Sequence, residues 1–507
     1  MSEHTQDVTG VIAAAMSGDP TALQQLVKRA AEQQKTLAET AVTHRGNAII
    51  LPEKPQPMTH RQAIAILEAR EKAAEQEYEI YEPMDGYPFD AAAAFHRALE
   101  KRYGPVNSVT VQREGFFGKI DVRPDMRQIK TGPKPEDIIQ VPTGGFQLPG
   151  FDKPIETGFN RDRRTGKVSY IITGTLRAKD RDAIREILAD AVTELRERSI
   201  YKNRAILLKT DDNGNVELGN EPEFMATDNI DPSQLILSRE VETLLEDTLL
   251  TPILKTKRCR EHKIPLTRTI CLAGPYGTGK TLCAYVTAKH CVDSGEWTYV
   301  MVDKVQGLPD ALRFARRYQP CVVFAEDIDR AMEERDEDAN ELLNEIGGAL
   351  AKDSEVLTVL TTNHLDKIHT AMLRPGRTDA IIMIEAPDAE AAQRLVRLFA
   401  GTLIEPGEDL SRIGAAIRGY IPAVIREIIE RGKLGMIKRE DTKLSEEDLL
   451  VAAHGMKAHA ALISDAMPDD EHSEYEKLGR AFARVMSNGP LTGVHGKLDK
   501  IGRELGI

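Results

Sequence analysis

The spacing of apolar and polar positions divides this chain into stretches of different texture. Over Pro20–Ala41, Thr59–Tyr81 and Ala91–Tyr103 apolar residues return at helical intervals on a highly charged background. That pattern predicts helices of a surface-packed or helix-pairing arm. From Ser108 to Thr210 the texture changes to short strand-like runs broken by Gly and Pro, as in GPKPEDIIQVPTGGFQLPGFDKP, which predicts an α+β domain. A hairpin at Arg163-Arg164-Thr165-Gly166 leads into the strand VSYIITGTL. Ile184, Ile187, Leu188, Ala191, Val192 and Leu195 then form one apolar helix face, which is core. The strand Arg204–Lys209 and the turn Asp211–Gly214 close this domain, with a boundary near Asn220.

Three later apolar strands run into polar chemistry. The first opens TRTICLAGPYGTGKTLCAYVTAKH, where a strand, a Gly-rich loop and an apolar-periodic helix follow one another. The loop Gly274-Pro275-Tyr276-Gly277-Thr278-Gly279-Lys280-Thr281 fits the phosphate-binding pattern throughout. Glycines let backbone N–H groups converge on phosphate oxygens at the positive end of the helix, Lys280 reaches the β and γ phosphates, and the Thr281 hydroxyl binds Mg²⁺. The second strand, CVVFAEDIDR, ends in Glu326 and Asp327, where a phosphate-loop sheet places its metal-facing carboxylate. Acids also follow buried strands as mere solvated ends, and only the upstream loop decides between the readings. The third, EVLTVLTTN, ends in Asn363, which can orient an attacking water or contact the γ-phosphate, or be an ordinary turn residue. Beyond it, Arg374 and Arg377 flank Pro-Gly. Arginine stabilises charge on a transferring phosphoryl group, including from a neighbouring subunit, although Arg-Pro-Gly-Arg alone reads as a surface turn.

A length of 507 residues sets an expectation of about three domains. The net charge of -13 argues against a passive polyanion binder. All five cysteines fall between Cys259 and Cys321 without metal-ligand spacing, so they read as reduced core thiols. No run of eighteen or more apolar residues occurs, and MSEHTQDVTG lacks the basic and apolar parts of a secretion signal, which sets the expectation of a cytoplasmic protein without a membrane partner.

Taken together, residues 230 to 435 resemble the AAA+ ATPases, and within them the AAA clade in the narrow sense. The resemblance implies an α/β P-loop NTPase core over residues 221–386 and a helical lid over 387–465. Around them stand a helical region at 1–105, an α+β N-terminal domain at 106–220 and a helical tail at 466–507. Leu444-Ser445-Glu446-Glu447-Asp448, with Ser445 as N-cap, and Ser473–Val485 are read as helices of this carboxy-terminal part. The resemblance makes Gly274–Thr281 the Walker A loop, with Leu282 beside it, Glu326-Asp327 the Walker B acids, Asn363 sensor 1, and Arg374 and Arg377 arginine fingers. Leu235, Ile236 and Ala423 are its adenine contacts, with Pro422 where the family usually has Gly. ATP and Mg²⁺ are the implied cofactors, with Thr281, Glu326 and Asp327 on the metal side.

Two departures qualify the resemblance. The family ends its Walker B strand Asp-Glu, whereas this chain has Glu-Asp, so Glu326 takes the metal-side role and Asp327 polarises water. Glu is longer by one methylene, about 1.5 Å, and a shift of about 1 Å can lower a rate roughly 100-fold, so a working but slow ATPase is expected. The segment Asp303–Leu308, meanwhile, lacks the aromatic pore loop of family translocases; Lys304 and Val305 either grip something or merely connect. No His-Glu-x-x-His motif occurs, which excludes the fused zinc protease of some relatives. The leading expectation is a ring, by resemblance a hexamer, that remodels a protein client. Its alternatives are a nucleic-acid motor or loader, motivated by Arg161, Arg163, Arg164, Arg313, Arg316 and Arg317, and a slow nucleotide-gated switch without threading.

Overall fold

The computed structural model describes residues 60–115, 118–162, 168–211, 216, 221–329, 354–368, 372, 374 and 377–465, with Lys28 and the pairs 44–45 and 48–49. The predicted helices Pro20–Ala41, apart from Lys28, and Ser473–Val485 lie outside these residues. Two compact units divide the chain: residues 1–129 with 140–199, and residues 130–139 with 200–507.

In the first unit, helix α1 (His60–Glu75) precedes strand β1 (Glu77–Pro83), helix α2 (Pro88–Tyr103), strand β2 (Asn107–Val109) and the hairpin of β3 (Val111–Gly115) and β4 (Gly118–Val122). Strands β5 (Asp125–Lys130), β6 (Ile138–Gln147), β7 (Ile155–Arg161) and β8 (Val168–Arg177) follow, then helix α3 (Arg181–Glu197). The sheet has the order β1-β8-β7-β6-β2, with β5 also paired to β6. Arg161 and Val168 face each other across antiparallel β7 and β8 as the predicted hairpin requires, although residues 163–167 at its turn are not described.

Two sequence expectations fail in this unit. The helix read over Thr59–Tyr81 stops at Glu75, and Tyr78-Glu79-Ile80-Tyr81 pairs with β8 as a strand. Its exposed Glu77 and Glu79 alternate with Tyr78 and buried Ile80, a period of two that wins over the charged helical texture upstream. Nor is the Ala91–Tyr103 helix a surface arm. Phe89, Ala91 to Ala94, Phe95, Ala98 and Leu99 of α2 are all buried, because small alanines let the helix approach its neighbours closely. Pro88 in its first turn and Gly104 at φ 72° beyond its end mark the limits of α2. The α3 face reads as predicted, with Ile184, Ile187 and Ala191 buried.

The second unit holds a seven-stranded sheet. Its strands are β9 (Ala205–Leu208), β10 (Glu223–Phe224), β11 (Arg268–Ala273), β12 (Thr298–Val302), β13 (Cys321–Ala325), β14 (Val356–Thr362) and β15 (Ala380–Met383), in the order β10-β9-β12-β13-β14-β11-β15. All pairs are parallel except β10 on β9. Strand Arg204–Lys209 therefore belongs here and does not close the N-terminal domain. Ala-Ile-Leu-Leu is continuously apolar, the signature of a strand covered on both faces in a parallel sheet. Helices α4 (Arg239–Leu245, continued by a π-turn over Glu246–Leu250), α5 (Lys280–Ser294) and α6 (Leu308–Arg317) accompany the sheet.

The lid comprises α7 (Ala389–Ala400), α8 (Ser411–Ala416), α9 (Pro422–Lys438) and α10 (Glu446–Asp465) around their own apolar core. Asp388 caps α7 by accepting the Ala391 N–H at 2.8 Å. Leu444, Leu449 and Met456 sit in this core, so the LSEEDLL segment is part of the lid. Pro422 occupies the first turn of α9, where its missing N–H would have no helical partner anyway. The Gly-to-Pro departure is thereby accommodated.

Candidate active site

Strand β11 delivers the chain into the glycine loop, and α5 begins at Lys280. Gly274 holds φ at 155°, and a methyl on its Cα would collide with the Ile384 carbonyl oxygen, so nothing larger fits. Gly279, at φ 113°, takes the left-handed backbone that leads from the loop into α5, whose first N–H groups have no helical acceptor. The Thr278 hydroxyl donates to the Pro275 carbonyl at 2.9 Å. Tyr276 stands edge-on to His364, with ring centroids 6.1 Å apart. Lys280 Nζ donates to the carbonyls of Gly274 and Pro275, both at 2.7 Å. Burial lowers its pKa to about 8, against the opposing pull of Asp327, Asp329 and Glu326.

The two acids part company beyond β13. Glu326 Oε1 accepts the Thr281 hydroxyl at 2.6 Å. Burial raises the Glu326 carboxyl, and the Thr281 hydrogen bond opposes that shift. Asp327 adopts φ 52°, a left-handed conformation that Asp tolerates better than most residues. This backbone step sends its carboxylate elsewhere, and Oδ1 accepts the Asn363 side-chain amide at 2.8 Å. The Asp327 N–H donates to Thr361 Oγ1 at 3.1 Å, and the Ile328 N–H to the Thr361 carbonyl at 2.9 Å, tying the turn to the end of β14. A cavity of about 330 Å³ brings together Lys280, Thr281, Leu282, Glu326, Asp327 and Asn363.

The donor set suits a hard cation. A threonine hydroxyl and a carboxylate oxygen lie side by side at the phosphate loop, the oxygen ligands that Mg²⁺ takes together with phosphate and water. Among the described residues no group of three or more His, Cys, Asp or Glu forms a metal cage of its own.

On the base side, Leu235 and Leu237 stand 3.8 and 3.9 Å from where a Cβ on Gly279 would lie, and Ile421 Cδ1 is 2.9 Å from the same position on Gly277. Of the three predicted adenine contacts, Leu235 reaches the loop, whereas Ile236 packs in the lid core and Ala423 packs against it. Ile421 lies in Gly419-Tyr420-Ile421-Pro422-Ala423, the segment that the resemblance makes the adenine-contacting lid motif, whereas Leu237 has no place in the sequence reading. Alternation along an extended segment, which puts residues 235 and 237 on one side, was the available signal for Leu237. Arg394 of α7 donates to Glu242 Oε2 at 3.0 Å and to the Leu237 carbonyl at 3.2 Å, another relationship without a local motif.

Arg374 is exposed and Arg377 half-buried. The Arg374 carbonyl accepts the N–H groups of Arg377 and Thr378 at 3.0 and 3.2 Å. Neither arginine is among the described residues lining the Lys280 cavity. In the segment without a pore aromatic, Val305 is buried and Lys304 Nζ donates to the Asp211 carbonyl at 3.2 Å. Of the basic cluster, Arg313 pairs with Asp310 at 2.8 Å, and Arg163 and Arg164 lie outside the described residues. All five cysteines are free, and all are buried where the sequence suggests half-buried core thiols. No described helix is long and apolar enough to cross a membrane.

Residues 270–386, from β11 to just past β15, match the model of the ATPase family associated with various cellular activities (AAA). Similar curated proteins include the ATP-dependent zinc metalloprotease FtsH 2 of Methylacidiphilum infernorum, 27% identical over 238 residues that cover 43% of this chain and 37% of that protein. The ATP-dependent zinc metalloprotease FtsH of Thermus thermophilus is 28% identical over 247 residues, covering 45% of this chain and 39% of that protein. The matched region spans less than half the length of either relative.

Proposed function

We propose that this chain, which carries an AAA+ P-loop ATPase module and uses ATP with Mg²⁺, hydrolyses ATP in a ring of like subunits to remodel a protein client. One observation carries the reading: the adjacent acids Glu326 and Asp327 diverge, one onto the Thr281 hydroxyl of the phosphate loop and the other onto Asn363. On this reading the N–H groups of the loop and of the start of α5 cradle the phosphates, and Lys280 exchanges the Gly274 and Pro275 carbonyls for phosphate oxygens. Thr281 and Glu326 hold the cation, which when bound neutralises charge on the β and γ oxygens. Asp327, anchored through Asn363, orients the attacking water. Leu235, Leu237 and Ile421 enclose the base.

The exposed Arg374 and the Arg377 turn support a finger offered to a neighbour's nucleotide, which requires a head-to-tail interface that closes, a hexamer in the family resembled. The remodelled client is a protein and the setting cytoplasmic, in keeping with the free buried thiols. The named relatives are zinc metalloproteases; this chain contains no His-Glu-x-x-His.

A second reading rests on Val305 and Lys304. With the former buried and the latter, though exposed, bonded to the Asp211 carbonyl, the segment offers no exposed apolar or aromatic side chain to a threaded polypeptide. That favours a nucleotide-gated switch whose slow turnover times assembly. Both readings meet one experiment: phosphate release with ATP and Mg²⁺ by the parent and by Lys280→Ala, together with capture of partners by Asp327→Asn. Release that depends on Lys280 and a trapped protein client support remodelling. Turnover below about 1 per second, slow against ordinary enzymes, with only self-assembly trapped supports the switch, and a parent that releases no phosphate at any concentration sinks both.

A further inference from the structure

Beyond the acid pair lies a third carboxylate that the function above leaves unused. Asp329 is 5% exposed, and a buried carboxylate persists only where hydrogen bonds compensate its lost hydration. Both of its described bonds fall on one oxygen: Oδ1 accepts the Thr362 hydroxyl at 2.8 Å and the Asn363 backbone N–H at 3.3 Å. Thr362, itself fully buried, passes the connection on. Its hydroxyl oxygen accepts the His364 N–H at 3.0 Å, and its carbonyl accepts the N–H of Gly274, first residue of the phosphate loop, at 3.2 Å. Asp329 thus joins the turn bearing Glu326 and Asp327 to the last residues of β14 and, through them, to the loop.

We propose that Asp329 is a positioning residue: by holding the Thr362 hydroxyl and the Asn363 N–H on one buried oxygen, it fixes the backbone from which the Asn363 amide reaches Asp327. The inference rests on the assignment of Asn363 and Asp327 to hydrolysis. Asn363 sits just past the end of β14, where strand pairing no longer restrains it. A residue there turns freely unless something outside the ladder holds it, and an amide displaced by about 1 Å loses its grip on a carboxylate it must orient. The Thr281 hydroxyl bonds Glu326 and not this network, and the side-chain bonds of Asp329 itself go to Thr362 and Asn363, so hydrolysis is the step that Asp329 supports directly, with nucleotide capture touched only through the Gly274 N–H and the charge felt at Lys280.

Steady-state turnover and equilibrium binding of a non-hydrolysable ATP analogue, measured on the full chain, test this. Asp329→Ala is expected to lower kcat by about 10- to 100-fold with analogue affinity within about twofold of the parent. Asp329→Asn, which keeps Oδ1 as an acceptor, recovers most of that loss. Because Asp329 acts through Asn363, Asp329→Ala combined with Asn363→Ala turns over no more slowly than Asn363→Ala alone, a non-additivity that general destabilisation does not produce. Thr362→Val, which removes one hydroxyl at nearly constant volume, lowers kcat in the same sense and serves if Asp329→Ala does not fold. Turnover of Asp329→Ala within twofold of the parent, a multiplicative double variant, or a fall in analogue affinity matching the fall in kcat each overturns the proposal. Full activity of Asn363→Ala would instead overturn the underlying assignment, so the two failures are told apart.

Discussion

The side-chain amide of Asn363 donates to Oδ1 of Asp327 across 2.8 Å, joining the ends of two neighbouring parallel strands at the mouth of the phosphate loop. Because the bond needs both an acceptor at position 327 and a left-handed backbone to aim it, the two substitutions at that position separate charge from geometry. Asp327→Asn keeps the φ of 52°, which Asn adopts readily, and removes the carboxylate. Hydrolysis should fall at least about 100-fold while bound ATP is retained. Asp327→Glu keeps the charge but lengthens the side chain and strains the turn, and a drop of about 10-fold or more is expected. Single-turnover phosphate release measures both; equal activity of parent and Asp327→Glu would show that the turn imposes no choice of acid.

Gly274 marks where the loop passes the backbone of Ile384. A Gly274→Ala chain must move one segment or the other, and the methyl meets a carbonyl oxygen that already accepts no compromise in position: the Ile384 N–H is bonded to the Ala273 carbonyl at 2.7 Å. Loss of more than about 2 kcal/mol of stability in the ATPase module is expected, read as a lowered midpoint in urea. Gly295→Ala, at φ 66° with no neighbour within 4 Å, carries backbone strain alone and should cost about 1 kcal/mol.

Fingers that act between subunits make defects complementary. On the proposed function Lys280→Ala would not bind nucleotide productively and Arg374→Ala would not assist its neighbour, yet mixed rings would contain interfaces in which an intact finger faces an intact phosphate loop. Mixing the two inactive proteins should restore a measurable fraction of parental turnover, with a maximum near equal proportions. If every mixture stays at the level of its inactive components, Arg374 does not act in trans.

The lid carries its own acid sensitivity. Asp448 accepts the Ser445 hydroxyl at 2.7 Å and the Ser445 N–H at 3.1 Å, and it pairs with Arg439 through both guanidinium nitrogens. The Arg439 guanidinium, joined by Ser445, holds this carboxyl down at about 2. A carboxylate with a depressed folded pKa contributes stability that is present in full above its ordinary range near 4 and is lost as pH falls toward 2. Lid helicity should therefore drop between those values, and Asp448→Asn should be less stable at neutral pH with a flatter profile across the window. A parent and variant with superimposable acid transitions would exclude this pair as the cause.

What the amino-acid order disclosed and what it hid follow from the range of the interactions. Gly274 to Thr281 could be read because every contact that defines the loop is local, and the N-cap at Ser445 for the same reason, with its hydroxyl accepting the Asp448 N–H at 3.3 Å. Strand β9 was misassigned because AILL reports only that both faces are covered, not which sheet covers them; its partner β12 lies some ninety positions on. Asp329 stands in CVVFAEDIDR without a local signal, since its partners at 362 and 363 become neighbours only once β13 and β14 are paired. Within Leu-Ile-Leu a single-residue step inverts which face each side chain meets, so Ile236 joins the lid core while Leu235 and Leu237 stand near Gly279.

Arg394, on the first lid helix, and Glu242, on the helix that precedes the phosphate loop in sequence, grip each other beside the leucines that border the base. Swinging the lid away from the loop means parting a half-shielded charge pair, and separating opposite charges becomes easier as dissolved ions screen them. If spent nucleotide leaves by that swing, its exit rate should climb with added salt, and a release rate independent of ionic strength would show that this pair is no latch.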